Sequence, residues 1–366
     1  MLRQSSAFRL VILGRMTLIA ATVALFASLL GTTASAQSPP ITLVAAFRTL
    51  NNPYHVLWAK GGAAFAQHIG NGVHFRVLAT GPSNEAQLTG IRSLLASTPG
   101  KVVIVVDPAT NSITQALAQA VQSDPNARMV AFWNKPATLW PWNGYSHWVS
   151  FISFNGIVGG EQTADVLIKA IGGRGNIIAL QGILDNVPAK QRFTGLENAL
   201  AKNSGVHLLA QETANWSETQ AFSVTQTLLS KFGSKINGIW AANDAMALGA
   251  LQALKDAHLD GKIPIVSASD AIPQVVKDIS DHAGILATTD PDGYWDASVG
   301  LAIGYYAITG KLDIASMSHA KRAFYAKAGL VTSSNAAQYL QPPTPSAYEA
   351  NWQLGSLFNR MQGPID

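Results

Sequence analysis

Cysteine is absent from this 366-residue chain, and charged residues make up only 13% of it. Without cysteine there can be no disulfide bond, no thiol nucleophile, no Cys-ligated metal site and no lipid-modified N-terminal cysteine. The low charge, together with 48% hydrophobic residues, excludes a disordered chain and indicates a substantial buried core. A chain of this length is expected to fold into about two domains.

A basic surplus is also missing once the N-terminus is set aside. An apolar run from Met16 to Leu30 is preceded by Arg3, Arg9 and Arg15. Ala34-Ser35-Ala36 then has the small-residue pattern of a cleavage site. This pattern predicts a signal peptide over residues 1–36, since the run is shorter than the roughly 20 residues of a membrane span. Because residues 1–36 hold three of the 25 Lys and Arg residues, 22 remain against 21 acidic residues. The mature chain is therefore expected in the periplasm without a lipid anchor, and it lacks the clustered basic residues that nucleic-acid binding requires.

The common catalytic and cofactor motifs are absent as well. Gly100-Lys101, Gly261-Lys262 and Gly310-Lys311 are each followed by an aliphatic residue, which excludes a P-loop. Gly172-Gly173-Arg174-Gly175 is expected to follow a helix and precede a strand, the reverse of a dinucleotide fingerprint. The chain contains no His-Glu-x-x-His and no Gly-x-Ser-x-Gly, and its eight His residues are scattered. No metal, cofactor or catalytic residue is predicted, and binding is favoured over catalysis.

What the chain does contain is a repeated alternation of apolar strands and helices. The expected strands begin at residues 41, 74, 102, 129 and 149 in the first half and at 176, 206, 239, 263 and 285 in the second. A helical pattern follows each strand, except where the Trp-rich segment 140–148 intervenes. Nearly unbroken apolar strands are typical of parallel sheets covered on both faces. The pattern predicts an α/β protein with two similar lobes, and the cleft between such lobes is a preferred ligand site.

The clearest strand end is in the stretch from Ile236 to Leu254. Ile239 to Ala242 is an apolar strand, and Asn243-Asp244 follows it directly before a helical pattern. These two residues are equally typical of a helix N-cap and of a ligand contact, because ligands of open α/β sheets bind at the carboxyl ends of the strands. Other strands of the chain also end on carboxylate, amide or aromatic residues, which favours a ligand site at this edge.

The residue types expected at these strand ends suit a neutral polyhydroxy ligand. Asp270, Asp292 and the strand-end amides can accept or donate hydrogen bonds, Arg192 and Lys135 are charged donors, and the aromatic residues offer flat apolar faces. The aromatic faces are Tyr54, Trp133 and Trp216, and the amides are Asn52, Asn134 and Asn243. A phosphate or carboxylate ligand would require a surplus of cations, so a sugar fits better.

Several motifs, in their order along the chain, resemble the ribose-binding group of periplasmic sugar-binding proteins. They are Thr49-Leu50-Asn51-Asn52-Pro53-Tyr54, Asn155-Gly156-Ile157-Val158-Gly159-Gly160, Leu180-Gln181-Gly182 and Asn243-Asp244-Ala245-Met246-Ala247-Leu248-Gly249-Ala250-Leu251, within a similarity over roughly residues 41–310. The resemblance implies a type I periplasmic binding protein fold: two Rossmann-like lobes with parallel sheets, joined by a three-stranded hinge. It also implies closure on one sugar, which is presented to an ABC transporter permease.

Carried over by position, the resemblance implies a set of sugar-contacting residues. They are Asn52, Tyr54, His55, Asn134, Lys135, Arg192, Trp216, Asn243, Asp270 and Asp292. The ribose binders of the family have Phe at the positions of Tyr54 and His55, Asp-Arg at Asn134-Lys135, Phe at Trp216 and Gln at Asp292. These departures leave the ligand open among pentoses, hexoses, deoxysugars and polyols.

The predicted domains are an N-terminal lobe of residues 37–153 plus about 293–325, a C-terminal lobe of 154–292, and a C-terminal segment of 326–366 that either packs across the lobes or is loosely held. Within that segment Ala347 to Met361 is expected to form an amphipathic helix through Tyr348, Trp352 and Phe358. The Trp-rich segment from Trp140 to Trp148 is either a loop packed on its lobe or an aromatic rim beside the pocket. The sequence is compatible with both interpretations of this segment. The protein is expected to be a monomer, because its lobes must move freely.

Two other functions stay open at this point. A sensor of the same fold could pass ligand occupancy to a chemoreceptor or sensor kinase, and the sequence does not separate it from a transport component. An exported sugar-modifying enzyme is less favoured, because no catalytic motif was found.

Overall fold

The computed structural model describes residues 39–365, so the predicted signal peptide lies outside the described residues. Within them, β1 and its neighbours form a sheet of order β13-β11-β5-β4-β3-β1-β2, parallel except for β13. We call this the N-terminal sheet. Its strands are β1 (Ile41–Phe47), β2 (Val73–Ala79), β3 (Lys101–Val106), β4 (Ala127–Phe132), β5 (Trp148–Ser153), β11 (Ala323–Ala326) and β13 (Met361–Pro364). The helices of this half are α1 (Pro53–Ile69), α2 (Asn84–Ser97), α3 (Thr114–Gln122), α9 (Gly293–Ile308), α10 (His319–Arg322) and α11 (Pro345–Tyr348).

The second half of the chain builds a parallel sheet of order β7-β6-β8-β9, and β10 pairs with β12 in an antiparallel ribbon beside it. Together these strands form the C-terminal sheet. They are β6 (Gly175–Gln181), β7 (Val206–Thr213), β8 (Gly238–Ala241), β9 (Ile265–Ser267), β10 (Ala287–Asp290) and β12 (Gly329–Thr332). The helices are α4 (Gly156–Ala170), α5 (Val187–Ala201), α6 (Glu218–Phe232), α7 (Asp244–Asp256) and α8 (Pro273–Ser280). The predicted α/β class with parallel sheets is confirmed, whereas the exact lobe boundaries stay a prediction.

The chain passes between the two sheets at three neighbouring places. It leaves the N-terminal sheet after β5, returns after β10 into α9, which packs on that sheet, and leaves again between β11 and β12. These passages form the three-stranded hinge that the resemblance implied. The C-terminal segment then makes a fourth passage, because β12 pairs with β10 and β13 pairs with β11.

The expected amphipathic helix over residues 347–361 was wrong. The segment contains only α11, a 3₁₀ turn at Glu349–Trp352 and then β13. Its aromatic residues are fixed by tertiary packing rather than by a helical stripe, since Trp352 packs edge-on against Phe65 and Phe358 against Phe324. Among residues 39–365 we find no helix that is both long enough and apolar enough to cross a membrane.

Close packing of α4 against α5 fixes the helix that carries Arg192. A Cβ placed on Gly195 would lie 2.2 Å from the Ile157 carbonyl oxygen, and one on Gly160 would lie 2.1 Å from the Arg192 carbonyl oxygen. Both contacts are with backbone, which cannot move away cheaply. Glycine at these positions therefore sets the distance between the two helices.

We predict that Gly195→Ala destabilises the fold by about 1–3 kcal/mol through overpacking, although alanine normally favours a helix over glycine by about 0.5–1 kcal/mol. Urea unfolding measures the free-energy difference. Gly355→Ala is the control, because no atom lies within 4 Å of a Cβ at Gly355. Equal stability of the two variants would show that α4 and α5 can move apart without cost.

Candidate functional site

A cavity lies where the carboxyl ends of the two sheets face each other, and we call it the central cavity. All of the predicted site residues line it except Lys135 and Asp292. Arg48, Asp107, Trp133, Asn186 and Pro188 complete the lining. The structure therefore gathers side chains from both halves of the chain around one space, which is the arrangement that strand-end polarity predicted.

The first wall of the cavity follows β1. Asn52 caps α1 by accepting a hydrogen bond from the Tyr54 amide at 3.1 Å, and Pro53 occupies the first helical position. His55 stacks on Phe47, with its Nδ1 2.8 Å from the Thr49 carbonyl and its Nε2 3.1 Å from Asp107 Oδ2. These contacts leave His55 only 1% exposed and hold its ring rigidly in the wall.

Tyr54 is held from behind by a buried carboxyl group. Its hydroxyl donates to Asp296 on α9 and accepts from the Trp133 indole nitrogen at 3.1 Å, and Trp58 also donates to Asp296 at 3.3 Å. Burial, with the nearby Asp296 charge, raises the pKa of Tyr54 well above its ordinary value. Since the hydroxyl already donates and accepts, Tyr54 offers the cavity an aromatic surface more than a free hydroxyl.

Asp107 is the anionic centre of the N-terminal half. It accepts from Asn134 Nδ2 at 3.2 Å and forms an ion pair of 3.6 Å with Arg48. Burial alone would raise the pKa of Asp107, but Arg48, His55 and Asn134 together outweigh that effect and hold the pKa below its ordinary value. Asp107 is therefore a charged acceptor at neutral pH.

The C-terminal half contributes an Asn–Asp pair at the ends of β8 and β9. Asn243 Oδ1 accepts from the Met246 amide at 3.0 Å, while its Nδ2 donates to Asp270 Oδ2 at 3.1 Å. The residue is thus both an N-cap of α7 and part of the cavity wall, and the two interpretations of Asn243 are compatible. Burial raises the pKa of Asp270 to about 6, against the opposing influence of Arg192 and Asn243.

Arg192 lies between two tryptophans at the centre of the site. Its guanidinium carbon is 5.2 Å from the Trp133 ring centre and 5.5 Å from that of Trp216, and its Nη1 donates to the Ala242 carbonyl at 2.8 Å. Trp216 Nε1 donates to Asn186 Oδ1 at 2.7 Å. A Cβ on Gly182 would lie 2.1 Å from the Trp216 ring, so only glycine leaves room for the indole.

Direct hydrogen bonds connect the two halves across the cavity. The Val187 amide donates to Asn134 Oδ1 at 3.2 Å, Asn186 Nδ2 donates to the Ala109 carbonyl at 3.1 Å, and the Asn111 amide donates to the Asp185 carbonyl at 3.2 Å. The predicted site residues that line the cavity are all buried. The structure is therefore in a closed arrangement, with the cavity screened from bulk water.

Two predicted site residues do not reach the cavity. Lys135 follows Trp133, whose φ of 63° turns the chain, and its Nζ lies 3.4 Å from the Trp140 ring centre. Asp292, with a φ of 66°, caps α9 by accepting from the Trp295 amide at 3.0 Å and pairs with Arg360 at 2.8 Å. Both placements differ from the position-by-position transfer, because Lys135 packs on the Trp140 ring and Asp292 is held by the α9 cap and by Arg360.

The Trp-rich segment is a packed loop. Trp140 stacks on Trp142, which in turn stacks on His319 at 4.0 Å between ring centres. Arg322 donates to carbonyl groups of Pro141, Tyr145 and Trp148. None of residues 140–148 lines the central cavity, which favours the packing interpretation over an aromatic rim.

Trp133 was expected among the aromatic faces near the ligand, whereas Asp107 was not predicted as a site residue, although its position directly after β3 was an available signal. Arg48 directly follows β1 and had the same signal. Asn186 and Pro188 lie at the start of α5, where they look like ordinary helix-start residues. For these two, only the closed tertiary arrangement reveals a place in the site.

The charges in the cavity lining are balanced. Arg48 and Arg192 face Asp107 and Asp270, and the remaining lining is formed by amides, aromatic rings, His55 and a proline. Such a cavity offers hydrogen bonds of both kinds without a net field that would select an ion.

Comparison with known proteins places this geometry in a family. Residues 44–312 match the family model described as periplasmic binding protein domain. The ribose import binding protein RbsB of Haemophilus influenzae is 29% identical over 227 residues, covering 61% of this chain and 72% of that protein. A xylitol-binding protein of Mycolicibacterium smegmatis is 35% identical over 155 residues, a match that covers 42% of this chain and less than half, 44%, of that protein.

Solved structures give the same result. A twin-arginine translocation pathway signal protein from Burkholderia phytofirmans is 35% identical, with a TM-score of 0.83 and coverage of 89% of this chain and 99% of that one. A periplasmic solute-binding protein from Actinobacillus succinogenes with bound D-allose shares the fold at 22% identity, with a TM-score of 0.69, 82% coverage of this chain and full coverage of its own. With the family model spanning most of the sequence and the fold matching along its length, this chain belongs to the periplasmic binding protein family.

Proposed function

We propose that this protein binds a neutral sugar or polyol in the central cavity and is the substrate-binding component of an ABC importer. The observation that carries the proposal is the balanced, buried lining of the cavity: two carboxylates, two guanidinium groups and several amides between aromatic faces. The relatives named for ribose import and xylitol binding support this ligand class.

The lining matches the surface of a polyol group by group. Asp107 and Asp270 can accept from hydroxyl groups, and Arg192 and Asn134 can donate to hydroxyl oxygens. The indole rings of Trp133 and Trp216 suit the C–H faces of a sugar ring. A ligand with a formal charge would leave one carboxylate or guanidinium group of the balanced set without compensation, and buried uncompensated charge is costly.

Ligand capture follows from the hinge. Three neighbouring passages connect the sheets, and rotation about a few such residues opens or closes a cleft. A bound polyol adds contacts to both halves and so stabilises the closed arrangement. The predicted export signal and the family support a periplasmic location, where we expect a monomer to present its ligand to a membrane permease.

A thermal-shift panel tests the proposal on the chain from residue 37 to 366. Pentoses, hexoses and linear and cyclic polyols are compared with sugar phosphates and uronic acids. A ligand at 100 times its Kd adds about 2.7 kcal/mol to the free energy of unfolding, which raises the melting temperature by several degrees. Stabilisation by a neutral member supports the proposal; stabilisation by anionic members alone, or by none, would contradict it.

We predict that binding weakens in acid because of Asp270. Burial raises its pKa to about 6, so a proton competes with ligand hydroxyls below that pH, while Arg192, Arg48 and Asp107 act on the same carboxyl. A single competing proton raises Kd about tenfold per pH unit below the pKa, and Kd should level off above pH 7. Titration calorimetry between pH 5 and 8 measures the profile. The Asp270→Asn variant should lose this component, and an identical profile in that variant would exclude Asp270 as its source.

A further inference from the structure

A second cavity lies beside the central cavity, on the side of the hinge. We call it the hinge-side chamber, and its lining includes residues of the first and third hinge passages and Thr289 of β10, just before the second. It is lined by Phe154, Asn155 and Gln162 near the start of α4, by Ser269 and Thr289 at strand ends, and by Ala328 between β11 and β12. The chamber is larger than the central cavity, and the binding model above does not use it.

Two side chains separate the chamber from the central cavity. Trp133 and Arg192 line both spaces, so together they form the wall between them. The indole of Trp133 is held by Phe154 at 4.9 Å between ring centres and by its hydrogen bond to Tyr54. The wall therefore consists of the Trp133 ring and the Arg192 guanidinium group, and both groups already belong to the proposed sugar site.

The lining of the chamber is neutral and hydrogen-bonding. Arg192 is its charged member, and the other polar groups are amides and hydroxyls. The side chains of Gln162 and Ser269 have no hydrogen-bond partner among residues 39–365, whereas Thr289 donates to the Ala268 carbonyl at 2.6 Å. Ser269 is buried and Gln162 is exposed at the rim of the chamber, and free hydroxyl and amide groups in these places suit hydroxyl groups of a ligand.

The chamber also reaches the protein surface. Ala328 and Gln362, which belong to its lining, are exposed, and they lie between β11 and β12 and on β13. A ligand group that enters the chamber from the central cavity would therefore not have to fit a closed volume. The exit lies next to the hinge, where the distance between the halves changes least during closure.

We infer that the site accepts a ligand longer than a single sugar ring or short polyol. The ring occupies the central cavity, and a hydroxylated substituent such as a second sugar unit or a polyol chain extends past Trp133 and Arg192 into the hinge-side chamber. This inference rests on the proposed function, because it extends the same binding site. The expected ligands are therefore glycosides or sugar–polyol conjugates in addition to simple sugars.

The test compares short and elongated probes by titration calorimetry. Glucose, galactose, ribose and sorbitol are the short probes, and their elongated counterparts are the disaccharides maltose and lactose, methyl ribofuranoside and the reduced disaccharide maltitol. We expect at least one elongated probe to bind the wild-type protein as tightly as its short counterpart or more tightly. Gln162→Trp, which fills the chamber from α4, should weaken that elongated probe at least tenfold and change the short one by less than twofold.

Gln162→Ala is the matched control, because it empties the same position: it should leave the short probe unchanged and weaken the elongated probe by less than threefold, the loss of one hydrogen bond without a steric block. If Gln162→Trp fails to fold by circular dichroism, Val158→Trp replaces it, since Val158 lines the same chamber and is 45% exposed. Binding of short probes alone would overturn the inference and leave the proposed function standing. Equal affinity of an elongated probe for the filled and wild-type proteins would also overturn it, and binding of no probe would contradict the proposed function itself.

Discussion

Asp270→Ala is expected to weaken sugar or polyol binding by about 100-fold without lowering the melting temperature of the unliganded protein. Asp270 is 4% exposed, is oriented by Asn243 and lies within the electrostatic reach of Arg192. Loss of one buried, charge-assisted partner costs about 2–5 kcal/mol of binding free energy, and each 1.4 kcal/mol is about tenfold in Kd.

The effect on stability has the opposite sign. Burial raises the pKa of Asp270 from 3.8 to about 6, so the folded state holds its proton more tightly than the unfolded state does. The contribution of this carboxyl to the free energy of unfolding therefore falls as the pH rises from 3.8 to about 6. At pH 7.5 the carboxyl is charged and destabilises the fold. Removing it should leave the melting temperature unchanged or raise it, which is typical of residues kept for function.

Titration calorimetry with the tightest ligand of the panel, paired with calorimetric melting, measures both quantities. Asp260→Ala is the control, because Asp260 is an exposed carboxylate on the same half of the chain. A Kd of Asp270→Ala within threefold of wild type would show that the carboxylate does not contact the ligand. A large loss of melting temperature would show that Asp270 is structural instead.

Arg192→Met should reduce affinity by a similar factor of about 100, since it removes the cation that faces both tryptophans while keeping most of the side-chain volume. Arg192 is 5% exposed and joins the two halves through Trp133. Its loss would leave Asp270 as a buried carboxylate without its main cationic neighbour, and such groups bind protons more readily. We therefore expect the acid limb of the binding profile to move to higher pH in this variant.

Arg192→Lys separates charge from geometry. Lysine restores a positive charge but not the planar fork, so its affinity should lie between those of wild type and Arg192→Met. Lys190→Met is the control, because Lys190 is an exposed cation on the same helix. Equal affinities of Arg192→Met and Lys190→Met would remove Arg192 from the binding site.

The fold was predictable because its signals are local and repeated. Apolar strands such as Ile41–Phe47 and caps such as Asn52 and Asn243 determine strand ends and helix starts within a few residues. Strand β7 was expected to begin at residue 206, and it begins at Val206. The C-terminal segment was not predictable, since Trp352 and Phe358 are positioned by distant partners rather than by the period of a helix.

The site was predictable from strand ends, but not residue by residue. Asn134, Asn243 and Asp270 lie shortly after strands and reach the cavity. Lys135 and Asp292 also lie at strand ends, but Lys135 packs on the Trp140 ring and Asp292 pairs with Arg360. Sequence spacing does not show which partner a strand-end side chain meets, so these two transferred residues do not line the cavity.

Contacts between the halves were the other unpredictable part. Asn186 enters the site only because α5 closes against the end of β3, where its amide reaches the Ala109 carbonyl. Such contacts depend on the rotation of one half relative to the other. No pattern within a single strand–helix unit encodes that rotation.

The most direct test of the account is a crystal structure of the chain from residue 37 to 366 grown with the tightest neutral ligand of the panel. We expect the ligand to lie between the two sheets, with hydroxyl groups within hydrogen-bonding distance of Asp270 and Arg192 on one side and of Asn134 or Asp107 on the other. A ligand bound outside the central cavity and the hinge-side chamber, or held by one half of the chain alone, would contradict it.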